Sequence, residues 1–216
     1  MNNKVRKMQS VLMGILLISP MTMMSFETAN PASEGPAFKL SNNQSTVNWK
    51  GMKPGGEHYG EIEEVTGTVD TDGDKVTGGN FVIDMNTISC KDLTSEAMNS
   101  RLVGHLKSED FFHTDKYPKA YFNIKRIKEK QVKSGDFTGN YEVTGDLTVR
   151  GVTEEVTFPA YITMEGSKVY AKTGEISLDR TRWNVNYQSK KIFKNLTDKF
   201  IKDEMIVSLD LEFNRG

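Results

Sequence analysis

The chain reads as an all-β protein: one antiparallel sheet of about eight long strands, closed into a barrel and interrupted by a helical insertion. Three observations lead there. From Phe137 to Arg150 every odd position (Phe137, Gly139, Tyr141, Val143, Gly145, Leu147, Val149) is apolar or glycine and every even one is polar, a strict period of two over 14 residues. The other strand segments also carry one apolar and one polar face, so a single side of the sheet meets a core. A sheet of that kind buries its apolar side most economically by closing on itself. A two-sheet sandwich has the same alternation, and spacing alone leaves it open. The third observation is Arg101–Phe122, RLVGHLKSEDFFHTDKYPKAYF, the one stretch that cannot be read as strand throughout. It begins at helical spacing, packs Phe111 beside Phe112, and must have left the helix by Tyr117, because Pro118 forces extension on the residue before it. A helix ending on aromatics looks like a lid on a β-structure.

In chain order, Lys4, Arg6 and Lys7 precede the short apolar run Val11–Ile18 and Ser19-Pro20, the pattern of a secretory signal over residues 1–25. The run falls short of the roughly 20 residues a spanning helix needs; a retained anchor is the alternative. Residues 26–37, including TANPASEGPA, read as a flexible leader into one domain at 38–214. Thr46–Gly51 is a first strand with Val47 and Trp49 on one face. His58–Asp70 is a second, with Gly60 and Gly67 as expected bends. Phe81, Ile83 and Met85 share a face of the third. The helix runs from Thr94 to about Lys107, with Thr94 or Ser95 as cap, inside an insertion spanning 94–112. Ala120, Phe122 and Ile124 begin the next strand. Gly151 turns the chain into a strand whose inner face is Val156, Phe158, Ala160, Ile162 and Met164. Between Val169 and Leu178 the apolar face changes partway. Asp179–Lys202 holds Trp183, Tyr187 and a short helix near 190–196, and a last strand puts Met205, Val207, Leu209, Leu211 and Phe213 inward. Glycine at inward positions 139 and 145 permits either sharp curvature or internal space.

Composition narrows the function. Cys90 is the only cysteine, so no intrachain disulfide forms and no lipidated cysteine follows the signal. Removing the signal takes away three basic residues and no acidic ones, leaving 25 basic against 29 acidic and a net charge near −4. That balance argues against nucleic acid or an anionic membrane face as partner.

Two segments carry a family resemblance. HLKSEDFF followed by YPKAYF (His105–Phe112, Tyr117–Phe122) and VTGDLTVRGVTEEVTFP (Val143–Pro159) resemble signatures of the YceI-like family, over about Phe38 to Phe213. WKGMKPGGEHYGEI and DEMIVSLDLEF look like its longer Bacteroidota-type members. The resemblance implies a lipocalin-like eight-stranded antiparallel barrel with a long apolar cavity, exported and binding polyisoprenoid or similar amphiphiles. It also implies that Phe81, Tyr141, Val143, Leu147, Phe158, Ile162, Leu209 and Leu211 face a ligand, with Phe111, Phe112 and Phe122 near its end. Periodicity by itself fits a closed core equally well. Where many members have Arg-x-Asp-Phe-Gly, this chain has Arg180-Thr181-Arg182-Trp183-Asn184, which places Trp183 among the ligand-binding residues and suggests an altered cavity end.

Other chemistries weigh less. His105, Glu109 and His113 fall on one face if the helix runs unbroken, a set that suits a metal such as Zn²⁺ or a small-molecule activity. Cys90 reads as a packed thiol rather than a nucleophile. Gly78-Gly79 precedes a strand, so it is no phosphate-cradling loop. Arg150, Arg180 and Arg182 suit either an anionic head group or ordinary salt bridges. A homodimer through an exposed strand or helix is a third class, its one clue the face change between Val169 and Leu178. The reading adopted is a periplasmic binding protein, not an enzyme, without cofactor, whose partner is a long-chain isoprenoid or acyl lipid.

Overall fold

The computed structural model describes residues 37–216; the expected signal, and the leader up to residue 36, lie outside the described residues. Eleven strands form one sheet: β1 (Phe38–Leu40), β2 (Thr46–Lys53), β3 (Gly56–Ile62), β4 (Val65–Asp72), β5 (Lys75–Asp84), β6 (Lys119–Ser134), β7 (Phe137–Val149), β8 (Val152–Glu165), β9 (Lys168–Lys172), β10 (Ile176–Asp179) and β11 (Glu204–Arg215). One helix, α1 (Glu96–Lys107), stands between β5 and β6. Strands β1 and β2 follow one path, as do β3 and β4, and β9 and β10, so the eleven segments trace eight antiparallel staves. The ring shuts where β11 pairs with β9 and β10 on one edge and with β1 and β2 on the other. The apolar sides of all eight staves turn inward, and the expected barrel is what forms.

The interruptions sit where another group takes the backbone. The break in the second stave falls at residues 63–64, not at Gly60 or Gly67. There the Glu64 carbonyl accepts from the Asp84 amide (2.9 Å) and the Glu64 amide donates to the Thr87 hydroxyl (3.0 Å). Between β9 and β10 the Thr173 hydroxyl accepts from the Leu209 amide (3.0 Å), while the Thr173 amide donates to the Leu209 carbonyl (3.0 Å). This bridging lets the stave slip phase by one residue. Val169, Ala171 and Thr173 border the interior, and so do Ile176 and Leu178. The change of face therefore keeps apolar residues inside and gives no support to an outward contact surface.

Neither inward glycine opens internal space. A Cβ at Gly145 would meet the Phe122 ring at 2.6 Å, so that position is filled by an aromatic from the next stave. At Gly139 a Cβ would meet the Ala160 backbone at 2.7 Å, which is close strand approach, hence curvature.

α1 begins two residues later than expected, with Ser95 at its N-cap. It ends at Lys107, where Ser108 caps it through an amide bond to the His105 carbonyl (3.1 Å). His113 then takes φ +49°. The face that would have grouped His105, Glu109 and His113 does not exist. His105 sits 3.3 Å from Asp110, edge-on to Phe111 and Tyr187. No helix forms at 190–196 either; the segment is a series of turns. A helix this short needs packing to hold it, and Ile192 and Phe193 are each about half exposed (47% and 49%).

Two polar side chains anchor irregular chain outside the strands. Asp92 binds β3 to the segment before α1: it accepts from the Tyr59 amide (3.0 Å) and the Cys90 thiol (3.2 Å), and pairs with His58 (2.8 Å). Burial works against its charge, but these bonds outweigh it and hold the carboxyl below its ordinary value. Burial also pushes the Cys90 thiol up, which keeps it protonated and unreactive. The second anchor is Arg180, in a 3₁₀ turn (Arg180–Trp183) that Asp179 caps and Asn184 closes at φ +60°, a left-handed position asparagine tolerates. Arg180 is 4% exposed and donates to the carbonyls of Val185 (2.6 Å), Lys202 (3.0 Å) and Ile201 (3.0 Å).

Both anchors are testable. Arg180→Ala leaves three carbonyls without a donor and should cost about 3–5 kcal/mol in urea unfolding; a loss below about 1 kcal/mol would show that the guanidinium is not holding the segment. For Asp92, the unfolded carboxyl titrates near pKa 3.9 and the folded one lower. The stabilisation is full above that value and drains away as pH falls toward the folded pKa. Asp92→Asn should lower stability at neutral pH and flatten its acid limb. An unchanged pH profile would contradict the pairing.

Candidate functional site

Period-two alternation aims one side chain in two along each stave at the barrel axis, and those side chains leave gaps between them even where Phe81 and Phe213 meet edge to face at 6.0 Å. Two apolar spaces remain, each about 140 Å³. The first is walled by aliphatic and aromatic side chains from all eight staves, and Thr173 is its one polar wall residue. The second lies toward α1. Val47, Ile83, Leu147, Leu178 and Val207 border both, so the two meet end to end along the axis.

Phe81, Val143, Leu147, Phe158, Ile162, Leu209 and Leu211, all expected inward, border the first space, and so does Phe122, expected near the end beside Phe111 and Phe112. Phe122 is central, with ring centroids 6.1 Å from Phe81 and 5.6 Å from Phe158. Phe111 and Phe112 border the second, as a lid would. They are held there because the chain leaving α1 folds back: the Phe112 amide donates to the Leu106 carbonyl (3.0 Å), and Arg150 from the β7–β8 turn donates to the Phe111 carbonyl (2.6 Å). Two expected residues border neither space. Tyr141 points inward and is buried, but alternation gives a residue's face and not its depth along the axis. Trp183 is 1% exposed, its indole N–H donating to the Leu147 carbonyl (2.9 Å), so it wedges the 3₁₀ turn against the wall. Neither Trp183 nor Asn184 borders the two spaces, and Asn184 is exposed.

Sequence reasoning did not single out the β-branched wall residues Val65, Val69 and Val76, nor Ile88 and Ile201 at the α1 end. Those on strands carried a signal in their alternation. Ile201 carried none.

Polar residues gather around one end without making the space itself polar: Asn48, Arg180, Lys202 and Glu204 border the second space with their apolar portions, and Lys202 and Glu204 are exposed, forming a mouth on that side. The arginines are occupied within the chain: Arg180 on carbonyls, Arg150 on Phe111 and Asn184, and Arg182 on Glu154 (2.7 Å). Among the described residues no group of three or more His, Cys, Asp and Glu side chains is placed to hold a metal.

The geometry can be set beside known proteins. Protein YceI of Escherichia coli O17:K52:H18 is 34% identical over 108 residues, half of each chain, so the chain spans about half the length of the curated relatives it matches. Among solved structures, Burkholderia cenocepacia BcnA superposes with a TM-score of 0.60 at 22% identity, covering 80% of this chain and 98% of that one. A polyisoprenoid binding domain from Saccharophagus degradans gives 0.62 at 13% identity, covering 84% and 99%. At such identities these structures speak to the fold. The YceI-like domain itself matches residues 38–213, nearly the whole described barrel, and the chain belongs to the YceI-like family.

Proposed function

We propose that this is an exported, periplasmic binding protein that sequesters or carries a long-chain apolar amphiphile, a polyisoprenoid-type lipid, inside the barrel. The observation that carries the reading is the pair of apolar spaces on the axis. A closed core packs to crystal-like density, and an unfilled cavity costs about 24 cal/mol per Å³. Each space of about 140 Å³ left empty would therefore cost roughly 3 kcal/mol. Water gives little relief, since it finds almost no polar partners on these walls. A lipid tail does, at about 0.8 kcal/mol per buried methylene.

The polar residues at one end orient the guest. Its tail fits the two apolar spaces, and its head group fits outside them at the α1 end, where Lys202 and Glu204 are exposed. No step in this scheme breaks a covalent bond, so binding rather than turnover is the activity. The polyisoprenoid named for the Saccharophagus domain supports this ligand class, and the secretory pattern in residues 1–25 supports the compartment.

The mature protein purified from its own periplasm should show a discrete additional mass in native mass spectrometry, recovered on organic extraction as a prenyl or acyl lipid. Protein that carries no such mass and takes up neither lipid when offered would overturn the proposal. Ala171→Trp should fill the first space, lowering uptake at least about tenfold while thermal stability holds or rises. Unchanged uptake in that variant would mean that the guest does not reach this depth.

A further inference from the structure

The segment from Ser189 to Lys202 joins exposed apolar side chains with a run of lysines. Lys190, Lys191, Lys194, Lys199 and Lys202 stand against one carboxylate, Asp198, giving +4 over these residues and leaving −5 for the remainder of the sequence. Between the lysines, Ile192 and Phe193 project with 47% and 49% of their surface exposed. Lys191 is paired with Asp179 (2.8 Å) and Lys190 lies over the Phe200 ring (3.8 Å). Lys194 and Lys199 are exposed and form no ion pair among the described residues. The same segment ends at the mouth: Ile201 and Lys202 border the second space, and the Lys202 amide donates to the Met52 carbonyl (2.8 Å).

We propose that this segment docks the barrel on an anionic phospholipid surface, with Ile192 and Phe193 entering the interface and the lysines meeting head groups. Exposed apolar side chains inside a basic cluster are the composition of an interfacial anchor. The acidic balance of the whole chain opposes this little, because at physiological salt charges act over about 8 Å and the sum over 189–204, with Asp203 and Glu204 counted, is still +2. A second copy fits less well, since a two-fold contact would set +4 against +4. Docking would bring the mouth against the bilayer, yet it does not rest on the lipid cargo, and the two readings fail separately.

The test is flotation of the mature protein with vesicles of phosphatidylglycerol in phosphatidylcholine, and with phosphatidylcholine alone. The expected result is binding to the anionic vesicles, strongly weakened in about 1 M salt, where the screening length is about 3 Å. A lysine near such a surface contributes roughly fivefold, so the Lys194→Gln, Lys199→Gln double variant should lose roughly twentyfold in partitioning. Ile192→Ser with Phe193→Ser should lose at least about tenfold. Both variants lie on exposed positions and should take up detergent-dispersed prenol as the wild type does, which separates docking from cargo. Equal flotation of wild type and variants, or no preference for anionic vesicles, would overturn the proposal. So would self-association in sedimentation velocity that the Ile192, Phe193 variant abolishes, which would assign the patch to a second copy.

Discussion

Closure at β11 is the constraint on which the rest of the molecule depends. A strand with two edges normally serves two partners, but β11 serves four: β9 and β10 along one edge, β1 and β2 along the other. Its length makes this possible, 12 residues from Glu204 to Arg215. Without that pairing the sheet would have two free edges and an apolar face open to water. With it, the apolar face becomes an interior and the edges vanish. The outer face is then free to carry cross-strand ion pairs such as Lys168–Glu212 and Lys172–Asp210, which add little energy individually.

Closure also explains why three staves are broken. A stave that keeps perfect alternation around a tight ring cannot also hold a helix and a long loop at one end. The breaks at 42–44, 63–64 and 173–175 let the chain change phase or direction while its backbone groups stay bonded. The gap after β3 is covered by residues 88–91, whose Ser89 and Lys91 amides donate to Glu61 and Tyr59. That segment leads straight into α1, so the same device that protects an edge also delivers the lid.

The barrel was legible because burial and alternation coincide: a strand with one wet side announces which side is dry, and β7, β8 and β11 did so over their whole lengths. The turns helped, since Pro54-Gly55 and Gly73-Asp74 close two-residue hairpins where the sequence places turn signals. What stayed hidden depended on distance along the axis or on groups far apart in sequence. Tyr141 and Val143 have the same phase, yet only Val143 reaches the first space. Trp183 looked like a cavity residue because it departs from a family pattern, but its indole hydrogen bond to Leu147, 36 residues away, decides its position. The absent helix at 190–196 had helix-like composition and nothing to pack upon.

The two ends of the interior are built from different kinds of chain, and this asymmetry is intelligible as physics before any ligand is named. Around the first space, hydrogen-bonded strands leave few polar groups to satisfy, so aliphatic walls suffice. At the α1 end the staves stop, and backbone carbonyls from residues 185, 201 and 202 would be left without donors. Arg180 supplies three of those bonds from one buried side chain, although burial drags its guanidinium below the usual value. A cation is tolerated there because its bonds to three carbonyls and the nearby Asp203 (3.5 Å) offset its desolvation. The polar rim of the mouth is therefore a consequence of ending a barrel with irregular chain, and an amphiphile whose head stays at that rim would meet polarity that the fold already requires.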